Sequence, residues 1–198
     1  DLNNDGVINN LDRVKVGNLF PTVTGGFSTT LGYKDFSLYA RFDYALGHTL
    51  YNDLAARSLG QYQGSFNIID MVKDSWSETN QDTDIPKFYY ADQLSKKNIT
   101  RSNNGLTAVD NNSSRFYEKG DYLALREITL TWNLPTKWIN KALMSNASVY
   151  VTGQNLFYIT GYTGVSPEPA VDTTYGQGLD NGRYPTPKTV LLGLSVTF

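Results

Sequence analysis

The chain has 198 residues, of which 40% are hydrophobic, 13% aromatic and 18% charged, whereas roughly a quarter of the residues of an average soluble domain are charged. The formal net charge of -2 gives no basic surface for nucleic acid, so nucleic acid is not expected as a partner. The absence of cysteine and the single histidine, His48, exclude disulfides, thiolate metal sites and histidine-based zinc clusters.

The first twelve residues have the spacing of a calcium-binding loop. They read DLNNDGVINNLD, with oxygen-bearing side chains at positions 1, 3, 5, 9 and 12 and glycine at position 6. A hard cation takes roughly six to eight oxygen ligands from such a tight turn. We therefore expect a Ca²⁺ site with these ligands: Asp1, Asn3, Asp5, the Val7 carbonyl and Asp12. The alternative interpretation is a polar turn that holds no ion.

Five later segments alternate apolar and polar residues with period two, which is typical of β-strands. Lys34 and Asp35 join the first two segments as a two-residue turn, which predicts an antiparallel hairpin. The five segments are residues 22–33, 36–47, 120–134, 146–160 and 189–198.

Long and short connections alternate strictly along the chain. The long ones precede the first strand, follow the second and follow the fourth, and the short ones are Lys34-Asp35 and residues 135–145. In an up-and-down barrel this pattern places every long connection on one rim, as in outer-membrane barrels. A strand of about eleven residues, tilted by ~40°, spans roughly 27 Å of bilayer.

A soluble β-sandwich also has alternating strands, and it is the main structural alternative. The polar positions of these strands are mostly Thr, Ser, Gly, Tyr and Asn rather than Lys and Glu, which favours a barrel over a sandwich. Aromatic residues near the strand ends agree with interfacial girdles: Tyr33, Phe36, Tyr44, Trp132, Trp138, Phe157, Tyr158 and Phe198. Because the smallest barrels have about eight strands, these five would be part of a larger barrel.

The sequence contains no catalytic constellation, and no enzymatic activity is expected. His48, at the exit of the second strand, is expected to be a surface or pore-lining residue. Asp82 and Asp84 are the only pair considered for a hydrolase, and their solvated-loop composition argues against that role.

Four stretches resemble the late barrel region of SusC/RagA-type TonB-dependent outer-membrane transporters of Bacteroidetes. They are DLNNDGVINNLDR with the following Gly17, Pro21 and Gly25-Gly26-Phe27, GDYLALREITLTWNLP (residues 120–135), VYVTGQNLFYITGYTGVSPE (149–168) and DNGRYPTPKTVLLGLSVTF (180–198).

This resemblance implies an all-β, antiparallel transmembrane barrel of about 22 strands, of which this chain supplies the last five. It implies a plugged transporter in the outer membrane that imports glycan or peptide oligomers with a SusD-like surface lipoprotein. The TonB system would contact a region upstream of this chain. The terminal Phe198 resembles the assembly signal of such barrels.

The expected organisation is an extracellular loop over residues 1–21, a barrel hairpin over 22–47, a long extracellular loop over 48–118, a strand-turn-strand over 119–160, an extracellular loop over 161–185 and a final strand over 186–198. On the polar face, the residues expected to line the lumen and meet substrate are Tyr39, Arg41, Asp43, Tyr150 and Gln154. The competing function is a soluble, calcium-dependent β-sandwich binding module.

Overall fold

The computed structural model describes residues 2–6, 10–56, 58, 69–85, 87–88, 114–168 and 178–198. The chain divides into two units. The strand unit comprises Pro21–His48, Gly120–Gly161 and Tyr184–Phe198, and the loop unit comprises Asp1–Phe20, Thr49–Lys119 and Tyr162–Arg183.

Within these described ranges, the strands in chain order are β1 (Val23–Tyr33), β2 (Phe36–Leu46), β3 (Thr49–Asn52), β4 (Tyr117–Lys119), β5 (Tyr122–Asn133), β6 (Asn146–Thr160), β7 (Leu179–Asp180) and β8 (Thr189–Thr197). The α-helical turns are α1 (Asp53–Ala56) and α2 (Thr136–Ile139). No helix in the described part of the chain has the length and apolar character needed to cross a membrane.

The strand unit is one five-stranded antiparallel sheet in the order β1-β2-β5-β6-β8. These are the five strands that the alternating segments predict, and the all-β antiparallel fold class is confirmed. β1 and β2 are joined by Lys34 and Asp35, and Lys34 has a φ of 52°. A two-residue hairpin requires such left-handed backbone even where no glycine is present.

The register places the apolar side chains of neighbouring strands in common rows. One row joins Phe27, Phe42, Leu125 and Phe157, and the rings of Phe27 and Phe42 stack 5.0 Å apart. A second row runs across all five strands through Leu31, Leu38, Leu130, Val151 and Leu192.

This apolar face is exposed. Leu192 has 82% of its surface accessible, Leu194 65%, Ile159 62% and Phe27 53%. A soluble β-sandwich would bury these side chains against a second sheet. The sandwich alternative is therefore wrong for the strand unit.

The first half of β5 alternates irregularly because it contains a β-bulge between Leu125 and Glu127. The extra residue is Arg126, and the opposing part of β6 contains Asn155 with a φ of 52°. A bulge of this kind reverses the parity of the side chains along one strand.

The two short connections leave the sheet at one end. One is the Lys34-Asp35 turn, and the other consists of α2 followed by a 3₁₀ turn at Asn140–Ala142. The long connections begin at the opposite end, where Val23 pairs with Leu46 and Tyr122 pairs with Thr160.

The loop unit has its own small sheet in the order β4-β3-β7, which the sequence pattern does not predict. β3 pairs antiparallel with β4 and parallel with β7. Tyr51, Ala56 and Phe116 form its buried cluster, so segments far apart in the sequence fold together.

Candidate functional site

The five residues predicted to line a lumen lie on one face of the strand unit. Tyr39 opposes Thr129, which opposes Thr152, and the two threonine hydroxyls are 2.8 Å apart. Arg41 opposes Glu127, which opposes Gln154. Hydroxyl, amide and charged groups thus follow one another across three strands, which gives a hydrogen-bonding surface for polar ligands.

The same face extends toward the short connections through Tyr150, which opposes Thr131 on β5 and Gly193 on β8. A side chain at Gly193 would collide with the ring of Tyr150. The tyrosine therefore lies across the space that the glycine leaves open, which is a close approach that only glycine permits.

Arg126 joins this face, although the strand alternation does not predict it there. Its Nε donates to Asp43 Oδ2 at 2.9 Å, its Nη1 lies 3.4 Å from the Tyr158 hydroxyl, and its guanidinium lies 5.8 Å from the Tyr158 ring centroid. The side chain of Arg126 is 16% exposed and that of Asp43 is 42% exposed. The available signal was a charge at a position where the alternation of β5 fails.

His48 is buried, with 1% of its surface exposed, so the prediction of a surface or pore-lining residue is wrong. Its backbone carbonyl accepts from the Gly120 amide at 2.9 Å. The imidazole meets the ring of Tyr122 edge-on, with centroids 6.2 Å apart, and occupies the space where a Gly120 side chain would lie. The absence of a side chain at Gly120 leaves room for the buried His48 ring. A single histidine in the sequence does not by itself indicate this burial.

The carboxylate of Glu118 holds three segments of the loop unit together. Glu118 accepts from the Thr163 amide at 2.9 Å, from the Thr163 hydroxyl and from the Asn52 amide group at 3.1 Å. Charge-assisted hydrogen bonds of this kind are stronger than neutral ones. They fix β3, β4 and the segment after β6.

A second carboxylate, that of the buried Asp180, acts in the same unit. Asp180 accepts from the Tyr162 hydroxyl at 2.8 Å, the Gly182 amide at 3.0 Å and the Val165 amide at 3.2 Å. Burial, followed by the hydrogen bond and charge of Asp180, raises the pKa of Tyr162 far above its ordinary value. Tyr162 therefore remains a hydrogen-bond donor under ordinary conditions.

Three of the five predicted calcium ligands lie in the described part of the chain, and Asp1 and Val7 lie outside it. Asn3 Nδ2 donates to Asp5 Oδ2 at 2.8 Å, and the Leu2 amide donates to Asp12 Oδ1 at 2.6 Å. Gly6 has a φ of 81° and makes the sharp turn. Among the described residues, no group of three or more His, Cys, Asp or Glu side chains is arranged to hold a metal.

The acids considered for a hydrolase are not arranged as a catalytic pair. Asp84 instead forms an ion pair with Arg115 Nη2 at 3.2 Å, and Asp82 is exposed.

No family model matches the chain. The chain is 33% identical over 205 residues to TonB-dependent receptor P26 of Formosa agariphila, and the match covers 100% of this chain and 19% of that receptor. It is 31% identical over 204 residues to TonB-dependent receptor P3 of the same organism, with 100% and 18% covered. The chain thus spans less than a fifth of the length of these curated relatives.

The chain is also similar to solved structures of transport proteins. The RagAB peptide transporter matches with a TM-score of 0.67 and 25% identity, over 90% of this chain and 17% of that chain. The RagAB peptide importer in its 'open-open' state matches with a TM-score of 0.64 and 26% identity, over the same shares. The named relatives are receptors and transporters rather than enzymes, in agreement with the expected lack of enzymatic activity.

Proposed function

Because this chain belongs to the TonB-dependent receptors, as a segment that resembles the SusC/RagA type, we propose that it forms part of the barrel wall of an outer-membrane nutrient transporter. The protein that carries it imports oligomeric nutrients through a lumen lined by the polar face of the strand unit. Tyr39, Arg41, Asp43, Tyr150 and Gln154 contribute to that lining.

The observation that carries this proposal is the exposed apolar face of the strand unit. Leu192, Leu194 and Phe27 are all more than half exposed, and they share this face with the apolar side chains of the neighbouring strands. Large exposed apolar surfaces mark contact with a membrane or another protein. In a barrel the hydrocarbon covers this face, and each buried apolar side chain then contributes about 1.5–3 kcal/mol.

The loop unit supplies the surface for a partner and for substrate. Its hydrogen-bonded carboxylates Glu118 and Asp180 join described segments of the long connections. We place these connections on the extracellular side, where they meet a SusD-like surface lipoprotein. The similar RagAB structures are those of a peptide importer and a peptide transporter. Peptides are therefore the first substrate class to test, and oligosaccharides are the second.

The test is uptake by cells that carry the full-length protein. A strain without the protein should lose import of labelled oligopeptides or oligosaccharides, and restored expression should recover it. Loss of TonB function should abolish import as well, because the energy comes from the inner membrane. Unchanged import in both the strain without the protein and the strain without TonB function would contradict the proposal. In a separate experiment, affinity purification of the tagged protein should recover a surface lipoprotein.

We propose in addition that the opening loop holds Ca²⁺ through Asn3, Asp5 and Asp12, together with Asp1 and the Val7 carbonyl. Hard oxygen donors around the left-handed Gly6 support it. The cation would tie the loop segments together and perform no chemistry. Calorimetric titration with CaCl₂ should give binding that Asp5→Asn weakens at least tenfold, whereas Asp82→Asn, outside the loop, should not. Identical titrations for the two variants would contradict the site.

A further inference from the structure

The short-connection end of the strand unit carries a defined set of exposed cationic and apolar side chains. We name it the lysine-aromatic rim, and it consists of Lys34, Lys137, Trp138, Lys141 and Leu143. All five residues are exposed.

The rim is one continuous structure because its two connections are joined. The Asn133 amide, at the end of β5, donates to the Asp35 carbonyl in the β1–β2 turn at 2.8 Å. α2 begins three residues after Asn133, at Thr136. Lys34 and Lys137 therefore belong to neighbouring connections at the same end of the sheet.

Trp138 extends the apolar face of the sheet beyond the ends of the strands. Its ring meets Trp132 edge-on at 5.8 Å, and Trp132 stacks on Phe36 at 6.0 Å. Trp138 is still 56% exposed. Indole rings with one polar edge are favoured at the level of lipid headgroups.

Leu143 occupies an unusual position for a leucine. It caps the 3₁₀ turn with a φ of 56° and is 87% exposed. Glycine or asparagine normally takes this left-handed position, because a larger side chain is strained there. A strained, exposed leucine gains nothing in water, whereas an apolar environment beside the rim would stabilise it.

The charge of the rim is positive. In sequence, residues 34–35 and 134–145 contain three lysines and a single acid, Asp35. Lys137 and Lys141 are four residues apart and repel each other in water. The aliphatic part of a lysine side chain can lie along apolar surface while its ammonium group reaches the headgroup region. An anionic headgroup in that region would relieve the repulsion between Lys137 and Lys141.

From this arrangement we propose that the lysine-aromatic rim binds anionic phospholipid headgroups, with Trp138 and Leu143 inserted beside the acyl chains. The proposal rests on the proposed membrane function and adds a lipid preference to it. Each lysine near a charged surface should contribute a preference on the order of fivefold. Zwitterionic lipids offer no net charge and should bind this rim more weakly.

The test uses the full-length protein reconstituted in phosphatidylcholine vesicles that contain a small fraction of brominated lipid. Bromine quenches a nearby tryptophan, and Trp138→Phe identifies the part of the signal that comes from Trp138. We expect brominated phosphatidylglycerol to quench Trp138 more strongly than brominated phosphatidylcholine at the same fraction. High salt should reduce the difference, because it screens exposed charges.

The variant with Lys34→Gln, Lys137→Gln and Lys141→Gln should lose the preference for phosphatidylglycerol. The matched control is Lys188→Gln, because Lys188 is exposed and precedes β8 at the long-connection end of the sheet. Heat-modifiable gel mobility verifies that each variant is assembled. If the triple variant does not assemble, the single variant Lys137→Gln should reduce the preference for phosphatidylglycerol. The single variant Lys137→Arg, which keeps the positive charge, should retain it.

The outcomes separate this inference from the proposed function. Equal quenching by the two lipids, or a preference that persists in the lysine variants, would overturn the inference and leave the membrane function standing. No quenching by either lipid at any tryptophan would contradict the membrane placement itself. Protection of Trp138 by a co-purified protein would show that the rim has a protein partner and would also overturn the lipid assignment.

Discussion

At the residue scale, the orientation of Arg126 depends on the one-residue β-bulge in β5. The bulge in β5 turns Arg126 toward Asp43 and Tyr158. The ion pair with Asp43 links β5 to β2, and the contact with the Tyr158 hydroxyl links β5 to β6. The pair is only partly shielded from water, so its contribution lies between those of exposed and buried ion pairs.

We expect Arg126→Met to destabilise the assembled protein by about 1–2 kcal/mol, because it removes charge-assisted hydrogen bonds and leaves Asp43 without its cation. The measurement is the urea midpoint of unfolding in detergent. Arg41→Met is the control, because Arg41 is exposed on the same face, and it should change stability by less than about 0.5 kcal/mol. Equal midpoints for the two variants would show that the bulge does not need its arginine.

His48 gives a second prediction at this scale. Gly120→Ala should cost about 1–3 kcal/mol, because the new methyl group collides with a buried ring that has little room to move. Gly32→Ala is the matched control, since a side chain there meets nothing within 4 Å. Thermal unfolding of the two variants compares them directly, and a Gly120→Ala protein as stable as Gly32→Ala would contradict the packing of His48.

At the element scale, the β-strands follow the sequence pattern closely. β8 alternates Val190, Leu192 and Leu194 with Gly193 and Ser195, and the register places the two sets on opposite faces. Leu191 is the exception to this alternation, because it opposes Thr152 on the polar face.

Leu194→Arg should lower the stability of the membrane-inserted protein by about 2–4 kcal/mol, because it places a charge in the hydrocarbon. Ser195→Arg, one residue later on the opposite face, should be tolerated. The fraction of assembled protein, read from heat-modifiable gel mobility, measures both. Equal assembly of the two variants would show that the faces are assigned wrongly.

The loop unit gives a pH prediction at the same scale. Since the pKa of Tyr162 is raised in the folded state, the unfolded chain loses the proton first, and stability falls as the pH rises above the ordinary tyrosine value of about 10. Below that pH the contribution is fully present. Tyr162→Phe should remove this alkaline loss and cost about 1 kcal/mol at neutral pH through the lost hydrogen bond. Protease sensitivity of the long connections between neutral and alkaline pH provides the readout.

At the scale of the whole molecule, the sequence predicts the strand unit well and the loop unit poorly. Local alternation defines each long strand, and the short turn at Lys34 and Asp35 sets the first register. β3, β4 and β7 contain two to four residues each, which is too short for a periodic signal. Their pairing depends on residues far apart in sequence, such as Asn52, Glu118 and Thr163.

The candidate site divides in the same way. Tyr39, Arg41, Asp43, Tyr150 and Gln154 share a face because strand parity alone determines it. Arg126 needed the position of the bulge, and the burial of His48 needed Gly120 beside it. The irregular alternation of β5 marks the bulge locally, but the partners of Arg126 and the burial of His48 both depend on contacts across strands.

The most direct test of the two-faced barrel wall is labelling of single cysteines along β8. The chain has no native cysteine, so Leu191→Cys, Leu192→Cys, Leu194→Cys and Ser195→Cys can be introduced one at a time in a full-length protein without other cysteines. In proteoliposomes, we predict that a membrane-impermeant maleimide reacts at positions 191 and 195, which face water, and not at 192 and 194, which face lipid. Equal labelling at all four positions would contradict the account.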